Sequence, residues 1–231
     1  MRRLFSSMLR RIYWVLVGRL SVEGLLVLGE RLQKKGEWAQ AEKVLLHAEN
    51  KAGEEDDTDG QILATIHLGR FYRDHGDFPQ SHEFLGQALE LANRLDDGQW
   101  QGLIHHQLGT THVMQRQYPR AIAHYRKSIV VEEKLKDDEA LAASYGNLGI
   151  CYQKGSNVRE AVNCHRKSLN ISERIGDRHS TAEQYFNLGM LYLENIGDKL
   201  EARVHFEKAR ALFEMVGDTH YAEQAARRLQ E

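Results

Sequence analysis

Proline is nearly absent, with two in 231 residues. A chain that so seldom interrupts its own amide hydrogen bonding can form long helices, and it lacks the proline-rich punctuation of turn-dense folds. Cysteine is as scarce: only Cys151 and Cys164 occur. That excludes a disulfide framework and leaves two buried free thiols as the expectation. The apolar run Ile12 to Val17 ends in Gly18-Arg19 and is too short to span a bilayer. Net charge is almost missing too, at −2 from 31 basic and 33 acidic residues. The balance is uneven, because residues 1–20 hold five arginines and no acid, leaving 26 basic against 33 acidic residues, or −7, in the rest. A mildly acidic body is a poor binder of nucleic acid, which would want a basic stripe, and no nucleic-acid partner is expected.

Catalytic signatures are missing as well. There is no phosphate loop ending in Gly-Lys-Ser/Thr, no HExxH, no CxxC and no Gly-x-Ser-x-Gly. Twelve histidines occur, but no two lie three or four residues apart, the spacing that puts two ligands on one helix face. His105, His106 and His112 could converge only loosely, and Glu54-Glu55-Asp56-Asp57 reads as a solvated loop. The expectation is a non-enzyme with no cofactor and no metal.

What is present is a period. Leu-Gly recurs as Leu28-Gly29, Leu68-Gly69, Leu108-Gly109, Leu148-Gly149 and Leu188-Gly189, always forty residues apart. Other columns share the phase. Small residues stand at Ala41, Ser81, Ala121, Ala161 and Ala202. Four residues on come Leu45, Leu85, Tyr125, His165 and Phe206, and three further Ala48, Ala88, Ser128, Ser168 and Ala209. Steps of three, four and seven are helical, so each unit holds two helices whose small faces allow close approach. Gly36, Gly76, Gly155 and Gly197 fall between the segments, where a turn needs them.

Caps support these boundaries. Asp77 with Gln80, Asn157 with Glu160 and Asp198 with Glu201 form short polar caps. Pro79 and Pro119 fall in a first helical turn, where a missing N–H matters little. Acidic steps at Asp56-Asp57, Asp96-Asp97, Asp137-Asp138, Gly176-Asp177 and Gly217-Asp218 mark the loops between units. One irregularity is an extra residue near Asn195-Ile196-Gly197, with a compensating shorter loop expected after Asp218.

The columns resemble the tetratricopeptide repeat, in which aromatic-x2-Leu-Gly-x2-Tyr is followed by Ala-x3-Phe. Residues 145–152, YGNLGICY, and 185–192, YFNLGMLY, carry the resemblance most fully, and it covers roughly residues 22–218. The ordinary unit has about 34 residues; a forty-residue unit implies longer helices, as in kinesin light chains, bacterial peptide-receptor regulators and Leu-Gly-Asn adaptors. The fold implied is all-α, a right-handed α-α superhelix of five helix pairs at about 22–58, 59–98, 99–138, 139–178 and 179–218. Residues 1–21 form a basic amphipathic helix before it and residues 219–231 a capping helix after it. Three roles fit the leading helix: a cap on the first repeat, a membrane-surface or partner-docking helix, and a cleaved targeting peptide.

The resemblance also implies a site. First helices of successive units line a concave groove, and the residues two before each Gly point into it: Val27, His67, Gln107, Asn147 and Asn187, with Arg227 at the same phase in the last helix. Asparagines there grip the backbone of an extended peptide, because an amide both donates and accepts. The neighbouring column holds Glu30, Arg70, Thr110, Ile150 and Met190, followed by Arg73, Gln153 and Leu193. The partner-binding set is thus His67, Arg70, Arg73, Gln107, Thr110, Asn147, Asn187 and Met190, polar and basic toward the second repeat and more apolar toward the fifth. Simple exposure on a solvated helix face is the alternative. Ala143 and Glu183 stand where chaperone-type relatives place carboxylate-clamping lysines, so that clamp is not expected. The function implied is a cytoplasmic adaptor that binds a partner peptide or helix without catalysis. The alternatives are a peptide-sensing regulator, or a membrane-peripheral assembly factor held by residues 1–20.

Overall fold

The computed structural model describes residues 17–230. The expected leading helix over residues 3–16 lies outside them. Among the described residues every regular element is helical and there is no strand. In chain order the helices are α1 (Val22–Lys34), α2 (Trp38–Glu54), α3 (Thr58–Asp74), α4 (Phe78–Leu95), α5 (Gly98–Met114), α6 (Tyr118–Leu135), α7 (Asp138–Lys154), α8 (Val158–Ile175), α9 (Arg178–Met190), α10 (Lys199–Val216) and α11 (Thr219–Arg228). The chain forms two compact units, one ending at Trp100 and one starting at Gln101 in the first turn of α5. In the first, α1/α2 and α3/α4 are antiparallel hairpins stacked through α2 on α3. In the second, α7 packs on α6 and α8, α9 on α8 and α10, and α10 on α11. Most helices run 17 or 18 residues, the lengthening that a forty-residue unit implies.

The Leu-Gly column has a steric cause. A Cβ on Gly29, Gly69, Gly109, Gly149 or Gly189 would come within 2.6 to 2.8 Å of the side chain of Leu45, Leu85, Tyr125, His165 or Phe206 respectively. Each of those bulky residues is at most 1 % exposed, so the second helix of every hairpin seats one large side chain on a bare patch of the first. Two serines of the last small column reach the preceding helix: Ser128 Oγ lies 2.6 Å from the Gly102 carbonyl oxygen, and Ser168 Oγ donates to that of Ala142 (2.7 Å). The tyrosines after Gly tie successive hairpins together. Tyr72 donates to Glu42 Oε1 (2.7 Å), while Tyr152 and Tyr192 accept from Arg126 and Arg166.

The turns correct three expectations. Inside a hairpin the left-handed residue is Gly36, Gly76, Arg116, Ser156 or Gly197, with φ between 58° and 81°. Gly155 therefore does not make its turn: it caps α7 at φ −85°, and Ser156 takes the left-handed position. Between hairpins the left-handed residues are Asp56, Asp96, Lys136, Gly176 and Gly217. The repeated step in the third loop is thus Lys136-Asp137 rather than Asp137-Asp138, and Asp137 caps α7 by accepting from the Ala140 amide (3.0 Å). The extra residue of the fifth hairpin widens the end of α9 into a π-helical turn, Leu191–Ile196. Its closing bond runs from Asp198 N to Tyr192 O, where the earlier hairpins close with Asp77 N to Tyr72 O and Asn157 N to Tyr152 O, one residue tighter.

No shorter loop follows. Asp218 caps α11, which begins at Thr219, just as Asp177 caps α9, which begins at Arg178. The one-residue shift is carried to the end, so Arg228, not Arg227, stands as far from its cap as Asn187 does from Asp177 and Asn147 from Asp137. Arg228 approaches Glu194 (3.7 Å), whereas Arg227 is exposed beside Glu223 (3.6 Å).

Cys151 and Cys164 are buried free thiols in the core of the second unit. Burial pushes them up to about 12 and about 11, so neither is a thiolate near neutrality.

Candidate functional site

Each unit has a hollow that involves expected groove residues. In the first, His67, Arg70 and Asp74 on α3 face Glu30, Gln33 and Lys34 on α1 and Trp38 on α2, around about 390 Å3. His67 is half-buried, with Nδ1 3.5 Å from Glu30 Oε1. Burial lowers its pKa and Arg70 lowers it further, against the opposing pull of Glu30. The expected basic character is not found: Glu30 and Asp74 offset Lys34 and Arg70. Arg73 takes no part in the lining. Its side chain is 10 % exposed, with Nε bonded to Asp74 Oδ1 at 3.0 Å.

In the second unit a hollow of about 400 Å3 opens between α7, α9 and α11, with Ser168 of α8 and Phe213 of α10 also in its lining. Asn147 and Ile150 of α7 line it together with Ser180, Glu183, Phe186 and Asn187 of α9 and Tyr221 of α11. Ala142, Ala143 and Gly146 also line it, small residues that leave space there. Gln184, 5 % exposed, also lines it, its Oε1 fixed by His165 Nδ1 at 2.9 Å. Burial lowers the pKa of His165 and so holds the ring neutral.

Asn147 is set from behind by a buried relay. Ser144 Oγ donates to Glu132 Oε1 (2.8 Å), so it accepts from His106 Nδ1 (2.9 Å). The other ring nitrogen of His106 then carries the lone pair and accepts from Asn147 Nδ2 (3.3 Å). This leaves Asn147 Oδ1 as the acceptor offered to a guest. Glu132 at the root of the relay is 3 % exposed, and burial raises its pKa against the two serine hydrogen bonds. Ser128 Oγ lies 2.6 Å from both Glu132 Oε1 and the Gly102 carbonyl, and its single hydrogen serves one of them. A proton on Glu132 satisfies both contacts, in line with the raised pKa.

The remaining expected site residues lie elsewhere. Thr110 is tied down by the His106 carbonyl (3.1 Å) and the Tyr125 hydroxyl (3.0 Å). Gln107 and Met190 are half-buried and outside the lining of the hollow. Val27 is 50 % exposed. Among the histidines, His105 pairs with His124 (Nδ1 to Nδ1, 3.2 Å), whose ring stacks on His112, while His106 serves Asn147. No group of three or more His, Cys, Asp or Glu side chains is placed to hold a metal among the described residues. Sequence reasoning missed Tyr221, Ser180 and Phe186 as lining residues. Phe186 stands beside Asn187 in the chain, and Ser180 and Tyr221 each stand three residues after the aspartate that caps their helix, a column outside the expected groove.

The tetratricopeptide repeat family matches the chain over residues 61–131, 100–173 and 140–215. These overlapping segments together cover more than half of it, and the chain belongs to that family. No curated protein sequence matches it. Among solved structures, BtubC (BKLC) from P. vanneervenii is 24% identical with a TM-score of 0.78, over 90% of this chain and 86% of that one. A putative kinesin light chain of nearly identical repeats from Podosopora anserina is 19% identical, TM-score 0.70, over 87% and 98%. A Rap protein complexed with competence and sporulation factor is 19% identical, TM-score 0.76, over 96% of this chain and 62% of that one. At these identities the likeness is one of fold. No helix among the described residues is long and apolar enough to cross a membrane.

Proposed function

We propose that this chain is a non-catalytic adaptor that holds a segment of a partner protein against the α7, α9 and α11 face of its second unit. The observation that carries the reading is a pair of amides, one of them preset. Asn147 and Asn187 line one open hollow, and Asn147 is already oriented by the Glu132–Ser144–His106 relay. Preset polar groups on a rigid scaffold lose little ordering entropy when an extended backbone docks. Apolar Ile150, Phe186 and Tyr221 in the same hollow supply area for side chains between the polar contacts.

The test replaces both asparagines by alanine and compares, by quantitative mass spectrometry, the proteins retained from the source cells by each form. The reading expects the specific partners to fall by at least about tenfold, equivalent to about 1.4 kcal/mol, with helicity and melting unchanged. Equal retention by both forms would remove the groove assignment. A second reading, a regulator that responds to a short free peptide, is favoured by the fold likeness to the Rap protein in complex with competence and sporulation factor. A small peptide retained in native mass spectra of the purified chain would select it. Attachment to a membrane surface through residues 1–20 is a third reading, supported by their five arginines without an acid, and liposome flotation with and without that segment tests it.

A further inference from the structure

The hollow between α7, α9 and α11 has an unbalanced charge. Glu183 is the one ionisable acid in its lining, and no lysine or arginine lines it. Glu183 is half-buried, and burial raises its pKa. Asp177 and Asp218 push in the same direction, and His179 opposes them. Within the chain its ion-pair contact among the described residues is the His179 ring, 3.7 Å away. Its other ring nitrogen lies 3.2 Å from Asp218, so the ring is shared between two carboxylates, and it does not line the hollow. The Glu183 side chain is 43% exposed, so a carboxylate only partly withdrawn from water and sharing one histidine with a second carboxylate gains when a full cation is supplied. Tyr221 lines the same hollow and is 39% exposed, and Phe186 lies one turn along α9 from Glu183. Aromatic faces beside a carboxylate suit a long side chain with an apolar stem and a cationic head.

We propose that this hollow selects a lysine or arginine side chain of the bound segment, with Glu183 receiving the cationic head, Tyr221 and Phe186 flanking the stem, and Asn147 and Asn187 holding the adjoining backbone. The inference rests on the binding face described above and adds to it a specificity for charge. The partner is a peptide segment with a basic residue between apolar ones.

A random peptide library displayed on phage, selected against the full chain, tests this. The tightest binders are then made with acetylated N-termini, so that any cation comes from a side chain. Enriched peptides are expected to share one internal Lys or Arg. Replacing it by norleucine, which keeps the stem and removes the charge, should weaken binding by about tenfold or more. Glu183→Gln should do the same, and the two changes together should weaken binding no more than either alone. Selection against Glu183→Lys should turn to acidic residues. Peptides with no shared basic residue, or the same peptides returned by Glu183→Lys, would overturn the proposal. The norleucine arm leaves the protein unchanged and stands even if a Glu183 variant folds poorly. Peptides that lose affinity in the Asn147→Ala/Asn187→Ala form but ignore Glu183 would sink the charge specificity and leave the binding face standing. An absence of peptides sensitive to either change would sink both.

Discussion

The hollow of the first unit and the hollow of the second are built on equivalent helices, yet their polar groups are engaged differently. In the first, charges of both signs face one another across α1 and α3, and His67 lies against Glu30 at 3.5 Å. In the second, two asparagines and one carboxylate line a space together with alanines and a glycine, and the histidine that contacts the carboxylate lies outside it. A repeat fixes where side chains project, not what they are free to do. Two sites with the same backbone can be one self-satisfied and one open.

The comparison assumes that both units share one packing register, and the largest effects test that assumption. Gly69→Leu drives a side chain into Leu85 and Gly149→Leu into His165, where even a Cβ would lie 2.7 and 2.8 Å from the neighbour. Each should destabilise its unit by about 3 kcal/mol, seen as a lowered denaturant midpoint. A neutral result in one unit alone would break the equivalence. Next comes binding: Asn147→Ala/Asn187→Ala should reduce the affinity of a selected peptide by about tenfold or more, while His67→Ala/Arg70→Ala should change it by less than about twofold. Calorimetric titration of the four-point set measures this, and the reverse order would exchange the roles of the two hollows.

Acid should also separate the units. Burial lowers the pKa of His105, His165 and His205 in the second unit, to about 4 for His105, and of His67 in the first. The folded state keeps these rings neutral while the unfolded chain protonates them below about pH 6.5. Stability is therefore full above that pH and falls as pH drops below it, by at most about 1.4 kcal/mol per pH unit for each ring. Hydrogen exchange at falling pH should loosen the second unit first. His165→Phe, which copies Phe206 at the matching position, should remove part of the slope; an unchanged slope would mean that His165 is not held neutral. The smallest effect concerns the turns. Arg116 and Ser156 occupy the left-handed position that glycine fills at Gly36, Gly76 and Gly197. Ser156→Gly should stabilise the second unit by about 0.5 to 1 kcal/mol, and no gain in melting temperature would argue against strain there.

The helices, their pairing and the bulky residue opposite each glycine were legible because each depends on spacing alone: Leu45, Leu85, Tyr125, His165 and Phe206 all take the same place. The turns were half legible. Gly155 looked like a turn residue, but the left-handed position falls one residue later, on a serine whose identity carries no such signal. The site was least legible, because whether a polar side chain is available depends on partners distant in sequence. Nothing local tells Thr110 apart from Asn147; Tyr125 occupies the first, while His106 orients the second. Arg73 and Arg70 share a helix and a charge, but one is buried against Asp74 and the other exposed. One inserted residue, taken up in a π-turn at Leu191–Ile196 and never compensated, put Arg227 in the expected column where the structure has Arg228.

Amide hydrogen exchange on the full chain, with and without a saturating selected peptide, is the most direct test of where a partner sits. The account predicts slowed exchange at the α7 and α9 segments that line the second hollow, around residues 143–150 and 180–190, with little change over residues 61–74 and on α10. Protection confined to residues 61–74, or to the second helices of the hairpins, would contradict it.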